Sequence, residues 1–272
     1  MDGVTKLTRR FVETAAGTIH CAIAGEDKGD AVLLLHQTPR SWNEFRDVLP
    51  LLGVRRRTIA MDTIGFGDSS ALPPGGDSIE AWADAAVALL DALDIKQAHV
   101  VGHHTGAFIA TQLAASAADR TRSVVLSSCT FDYAKQRAAE LRGRAVVDDV
   151  VRRADGTHLL ELWRKRAPFY PPDDVDLLER YMVDALKAGP RAAEGHHVVA
   201  RYDLESALSQ IRCPVLLIGA TQDPAAYPAL DRLRVALPQA EVQEIEGGMV
   251  PLPDQLPHQF AAAVERFLDR ID

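Results

Sequence analysis

The run VVGHHTGAFIA, residues 100–110, constrains this chain more than any other stretch. An apolar segment, AHVVGH (98–103), leads straight into Gly102-His103-His104-Thr105-Gly106, and an Ala-rich helical segment (104–118) leaves at once. Glycines two residues either side of a central position suit a tight strand-to-helix turn, because a Cβ at either place would collide with neighbouring backbone. Such a turn pushes its middle residue, here His104, out at the carboxyl edge of a sheet with positive φ. Histidine is among the few non-glycine residues enriched in that conformation. Edges of this kind are where open α/β sheets bind ligands.

The flanking sequence supplies the sheet. Residues 10–14 and 17–24 read as a hairpin across Ala16-Gly17, and AVLLLH (31–36) is a continuous apolar run of the sort a doubly covered strand needs. A helix is expected from Trp42 to Leu52, a strand over 56–62, and a Pro/Gly-rich loop over 64–77. The segment 78–95 reads as an amphipathic helix with Ser78 as its N-cap and Glu80 nearby. Strands follow at 123–128, 214–219 and 241–247, and a helix over 255–271 closes the chain. This alternation predicts an α/β fold with a mostly parallel, doubly wound sheet. Residues 132–206 break the pattern: they carry helical segments and no convincing strand, so they read as a helical insertion between core segments 1–131 and 207–272.

Composition narrows the function classes. A net charge of −8 argues against nucleic acid or an anionic membrane as partner, since both select basic patches. No apolar run approaches the ~20 residues of a membrane span, and the first residues lack an apolar signal segment. A cytoplasmic location is the expectation. Cys21, Cys129 and Cys213 each sit in or beside apolar runs, without metal-ligand spacing, and read as reduced, buried thiols.

Five motifs in order resemble the α/β-hydrolase superfamily over nearly the whole chain. Gly102-His103-His104-Thr105-Gly106 resembles that family's Gly-x-Ser-x-Gly elbow. His36-Gln37-Thr38-Pro39 is similar to the His-Gly-x-Pro segment that supplies an oxyanion-hole amide. The run from Asp62 to Ser69 matches the Asp-x-x-Gly-x-Gly-x-Ser loop, Asp223 the position of the catalytic acid, and GGMVPLPDQLP (247–257) the segment that carries the catalytic base. The resemblance implies an α/β-hydrolase fold with residues 132–206 as a helical cap over the pocket.

Two departures decide how that resemblance is read. His104 replaces the serine nucleophile, and Met249 stands where the catalytic histidine belongs; the next histidine, His258, falls on the closing helix. Serine chemistry needs a hydroxyl, an imidazole to take its proton and a carboxylate to orient that imidazole. Only Asp223 of the three aligns, so ordinary acyl-enzyme chemistry is not expected. An imidazole reaches farther than a hydroxyl, and histidine's ordinary pKa of about 6.5 suits proton transfer near neutrality. His104 is therefore the candidate acid or base, oriented by Asp223 or by a cap residue, with Thr105 and either Gln37 or Thr38 as amide donors to an oxyanion or enolate.

Each candidate has a plainer reading. His36 and His103 read as buried structural histidines, and Asp223 equally as a helix cap. Met249 reads as a pocket wall, and Trp163, His196, His197 and Tyr202 as cap residues facing either the ligand or the cap interior, alongside His158 and Tyr170. A metal held by His36, His103 and His104 is not expected, because the elbow aims His103 away from His104; nor is a nucleotide, since the GFGDSS loop lacks a phosphate-binding context. Three functions fit: a cofactor-free enzyme on a small, fairly apolar molecule using His104 for proton transfer in lyase, cyclase, decarboxylase, isomerase or hydrolytic chemistry; a hydrolase with His104 as nucleophile or water activator; and a binding protein that has lost its triad. Nothing in the sequence sets the oligomeric state.

Overall fold

The computed structural model describes residues 5–26, 31–131 and 146–272, so 132–145 of the expected cap lie outside the described residues. Eight strands make one sheet: β1 (Thr8–Thr14), β2 (Gly17–Ala24), β3 (Ala31–Leu35), β4 (Thr58–Met61), β5 (Ala98–His103), β6 (Thr121–Ser127), β7 (Val215–Ala220) and β8 (Glu241–Ile245). Their order is β1-β2-β4-β3-β5-β6-β7-β8, and every pairing from β4 to β8 is parallel. The hairpin β1–β2 pairs Thr14 with Gly17, and β2 runs antiparallel to both neighbours.

Alternation along the central strands builds two cores. Leu33 and Leu35 of β3 face a cluster that contains Trp82, Leu89, Phe108 and Leu113, whereas Val32 and Leu34 face Phe45, Phe260, Val264 and Phe267. Helices α2 (Ile79–Ala92) and α3 (Thr105–Ser116) cover the first face, and the closing helix, Pro257–Ile271, covers the second. Each large apolar side chain buried there stabilises the fold by about 1.5–3 kcal/mol. Ser78 caps α2 by accepting from the Ala81 amide at 3.1 Å.

The expected helix 42–52 is broken into a 3₁₀ turn, Trp42–Phe45, and one short turn, Leu49–Leu52 or α1, with Pro50 in it. Proline supplies no amide hydrogen, so the first segment cannot run on through it. The closing helix is likewise preceded by a separate turn, Leu252–Gln255, that ends before Pro257.

Between β6 and β7 the described residues hold four helices and no strand: α4 (Thr157–Arg166), α5 (Val175–Ala188), α6 (Glu194–Arg201) and α7 (Leu204–Leu208). α4 and α5 share their own apolar cluster of Leu162, Tyr170, Leu177, Leu178, Tyr181, Met182 and Ala185. Residues of α6 and α7, Val198 and Leu204 among them, join the core on the α2–α3 face instead. Arg40 is fully buried where the layers meet, donating to Asp184 of α5 at 2.8 Å and to Asp254 at 2.9 Å. Among the described residues no helix is long and apolar enough to cross a membrane.

Candidate active site

β5 ends at His103, α3 begins at Thr105, and His104 occupies the turn between them with φ 47° and ψ −116°. A Cβ on Gly102 would strike the Gly106 carbonyl, and one on Gly106 would strike the Leu35 carbonyl, so both flanking glycines are sterically required. Backbone held at positive φ in a non-glycine residue costs about 1–3 kcal/mol and tends to mark functional sites.

From this turn the His104 ring reaches over the end of β6 to the loop that follows β7. Its Nε2 lies 2.7 Å from Asp223 Oδ2. The Asp223 side chain is fully buried, and its Oδ1 accepts from the amides of Ala225 at 2.9 Å and Ala226 at 3.0 Å. Burial pushes the Asp223 carboxyl up, but the His104 imidazole and those two amides outweigh it and hold it at about 2. An ionised carboxylate only accepts, so Nε2 of His104 carries the hydrogen and donates it. That leaves Nδ1 as the basic nitrogen, and it has no hydrogen bond among the described residues. The side chain is 14% exposed, largely shielded from bulk water.

Beneath it, His103 packs edge-on against His104 with ring centroids 4.9 Å apart. His103 Nε2 donates to the Val250 carbonyl at 2.8 Å, and Nδ1 accepts from the Ser127 hydroxyl at 3.0 Å. Burial and the neighbouring His104 push its pKa down to about 3, so it is neutral and structural. His36 is also neutral, its pKa lowered by burial; Nδ1 donates to the Gln37 carbonyl at 2.8 Å and Nε2 accepts from the Thr63 amide at 2.9 Å.

The oxyanion loop departs from expectation at Gln37. Its amide donates to Glu44 Oε2 at 2.8 Å and its side-chain nitrogen to Glu44 Oε1 at 2.5 Å, so Gln37 is committed to a buried carboxylate. Burial pushes Glu44 up to about 7 against the pull of Arg40 and the Gln37 donors. Thr38 lies beside the elbow. Its hydroxyl is 3.0 Å from that of Thr105, and the amides of Thr38 and Thr105 have no acceptor among the described residues. The Thr105 amide opens α3, where first-turn donors have no intrahelical partner.

Met249 is half-buried on a loop braced from both sides. Its amide donates to Gln255 Oε1 at 2.7 Å, the Gln222 amide donates to the Gly248 carbonyl at 2.8 Å, and Val250 is tied to His103. His258 is exposed on the closing helix, away from this loop. The four cap candidates divide. Trp163 packs against the cluster between α4 and α5. His196 and His197 stand on α6, half-buried, and His196 Nε2 lies 3.0 Å from Asp148 Oδ2. Tyr202 is buried along α3: its hydroxyl donates to Gln112 at 2.7 Å and its ring packs on Phe108 in the first turn of that helix.

Sequence reasoning passed over Glu44, Asp148 and Arg40. Arg40 and Asp148 are buried by partners distant in sequence, which leave no local pattern, whereas Glu44 meets Gln37 and Arg40 close by, an i,i+4 spacing with Arg40 that could have marked it. One cluster with metal-ligand geometry occurs among the described residues, His20, Asp62 and Asp68. The chain's own groups occupy it: Arg9 bonds His20 at 3.1 Å and Asp68 at 2.9 Å, Lys187 pairs with Asp68, and Asp62 accepts from the amides of Trp42 and Asp68.

The chain belongs to the α/β-hydrolase fold family, whose model matches residues 30–249. It is 35% identical over 117 residues to a 2-hydroxymuconate semialdehyde hydrolase from a Pseudomonas species, covering 42% of this chain and 41% of that protein. A putative carbamate hydrolase, RutD of Azorhizobium caulinodans, is 27% identical over 240 residues, covering 84% of this chain and 87% of the relative. Among solved structures, the enol-lactonase from Burkholderia xenovorans superposes with a TM-score of 0.73 at 24% identity, covering 96% of this chain and all of that one. A hydrolase from Pseudomonas aeruginosa gives 0.76 at 22% identity, covering 96% and 98%.

Proposed function

We propose that this protein is a cofactor-independent enzyme acting on a small organic molecule, with His104 transferring protons in place of a serine nucleophile. The 2.7 Å contact between His104 Nε2 and Asp223 carries the reading. It merges two members of the usual triad into one residue: the imidazole grows from the nucleophile's position and meets the acid directly. Asp223 fixes the tautomer and stabilises the imidazolium that forms when Nδ1 takes a proton. Thr38 and Thr105 offer amides to a developing oxyanion or enolate beside it, and Met249 closes the space where a separate base would stand.

Two proton sources fit this geometry. His104 can take a proton from water attacking an acyl carbon, which is hydrolysis without an acyl-serine, or from carbon or oxygen of the substrate, which is lyase, cyclase or isomerase chemistry. Hydrolysis is favoured by the names of relatives such as the 2-hydroxymuconate semialdehyde hydrolase. General acid–base catalysis contributes about 10²–10⁴-fold, which sets the expected loss on removing the imidazole. The test compares wild type, His104→Ala and His104→Ser on p-nitrophenyl and ethyl esters of short acids. Both variants are expected to lose about 10²-fold or more in kcat/KM. Unchanged turnover in His104→Ala refutes the role, and saturable binding without turnover in wild type marks a binding protein instead.

A further inference from the structure

We propose that Glu44 is a positioning residue for the oxyanion loop: it holds Gln37 so that the amide of Thr38 is aimed at the reacting group beside His104. The inference rests on the proton-transfer role of His104 above and concerns the donor that would serve it.

The lever is the Gln37–Thr38 peptide. A peptide unit is planar and trans, so its carbonyl and its N–H point in opposite directions, and whatever fixes one fixes the other. The Gln37 carbonyl accepts from the Arg40 amide at 2.9 Å and from His36 Nδ1 at 2.8 Å. On the other side of the same residue, the Gln37 amide donates to Glu44 Oε2 at 2.8 Å and its side-chain Nε2 to Glu44 Oε1 at 2.5 Å. Gln37 is thus bonded at its amide, its carbonyl and its side chain, and its backbone cannot turn without breaking one of those bonds. The Thr38 amide is the next donor along the chain and has no acceptor among the described residues, while the Thr38 hydroxyl meets that of Thr105 at 3.0 Å. Where the family's segment has glycine, this chain has a side chain that Glu44 holds.

A stabilising ion pair would be built differently. Glu44 is fully buried, yet its pairing with Arg40 is long, 3.8 Å, and Arg40 gives its close contacts to Asp184 and Asp254. The charged and titratable groups around Glu44 are Arg40 on its own segment, Asp254 from the turn before the closing helix and the Tyr170 phenol from the cap. Burial pushes the Glu44 carboxyl up to about 7 against the pull of Arg40 and the Gln37 donors, and Asp254 adds to the rise. The fold therefore favours the protonated acid: the stability this group lends is present below about 4.5 and is lost as pH rises through about 7. Two donors meeting its two oxygens, however, match the ionised carboxylate, which only accepts. Above neutrality the chain keeps a buried charge that lowers its stability and fixes the loop.

Glu44→Gln keeps the shape and removes the charge. It is expected to lower kcat on p-nitrophenyl butyrate by about tenfold or more with KM within about twofold, since a donor is misaimed and not removed. The urea midpoint at pH 8 should stay at or above that of wild type. A residue that served packing alone would lower the midpoint and leave the kcat of the folded protein unchanged, and that result overturns the inference. A second measurement needs no turnover. The amide resonances of Gln37 and Thr38 should move together with pH, with a midpoint at about 7 in wild type, and stand still in Glu44→Gln. A Thr38 resonance indifferent to Glu44 also overturns the inference. Unchanged ester turnover in His104→Ala overturns the reading of His104 instead and leaves the resonances to decide for Glu44.

Discussion

Replacing Asp223 by Asn tests the His104–Asp223 pair through stability as well as activity. The carboxyl falls from an ordinary 3.8 to about 2 despite being buried. Just under two pH units, at about 1.4 kcal/mol each, means the native state prefers the ionised form by about 2 kcal/mol. The sign is that of a depressed acid: the unfolded chain binds the proton more readily, so this stabilisation is present above about pH 4 and is lost as pH falls towards 2. Asp223→Asn should therefore unfold about 2 kcal/mol more easily than wild type at pH 7, and the gap should narrow to roughly half by pH 3. Urea unfolding followed by tryptophan fluorescence at both pH values measures it. The same substitution lets the His104 ring turn or change tautomer, since an amide can present either a donor or an acceptor. A fall of about 10²-fold or more in kcat/KM should accompany the stability loss. A variant as stable as wild type at pH 7, or a gap that stays constant with pH, would refute the argument that the carboxylate is held ionised by the imidazole.

Three further outcomes follow from the packing and the titrations. Gly195→Ala should be destabilising by about 1–3 kcal/mol and should raise KM, because the new methyl group meets Thr38 Oγ1, although alanine is normally the better helix former; a thermal melt and a substrate titration check both. Arg40→Met should cost about 3–5 kcal/mol in urea unfolding, since it removes the buried cation that Asp184 and Asp254 share and leaves Asp254 with Arg180 alone. His103 is held neutral to about pH 3, so the unfolded chain binds its proton first and stability should fall as pH drops below about 6.5; His103→Asn should flatten that slope between pH 6.5 and 4.5, read by urea midpoints.

Much of the architecture was legible in the chain because it is written in short-range patterns. The apolar runs at 31–36, 98–103 and 214–219 are buried parallel strands, and the flanking glycines of the elbow forced His104 to its apex. Patterns of period two and tight-turn chemistry act between near neighbours, so the sequence by itself determined the sheet, the turn and the residue at its tip. It could not show that Gln37 would commit its amide to Glu44 while the Thr38 hydroxyl meets that of Thr105, nor that the Tyr202 hydroxyl would bond Gln112 of α3. Asp148 was invisible for the same reason, because its meaning comes from Arg166, Tyr181 and His196, brought in from 18 to 48 residues away. Whether a titratable group is spent or available depends on which distant donor reaches it and how much water is excluded around it. Those are consequences of packing, and only the tertiary structure decided them.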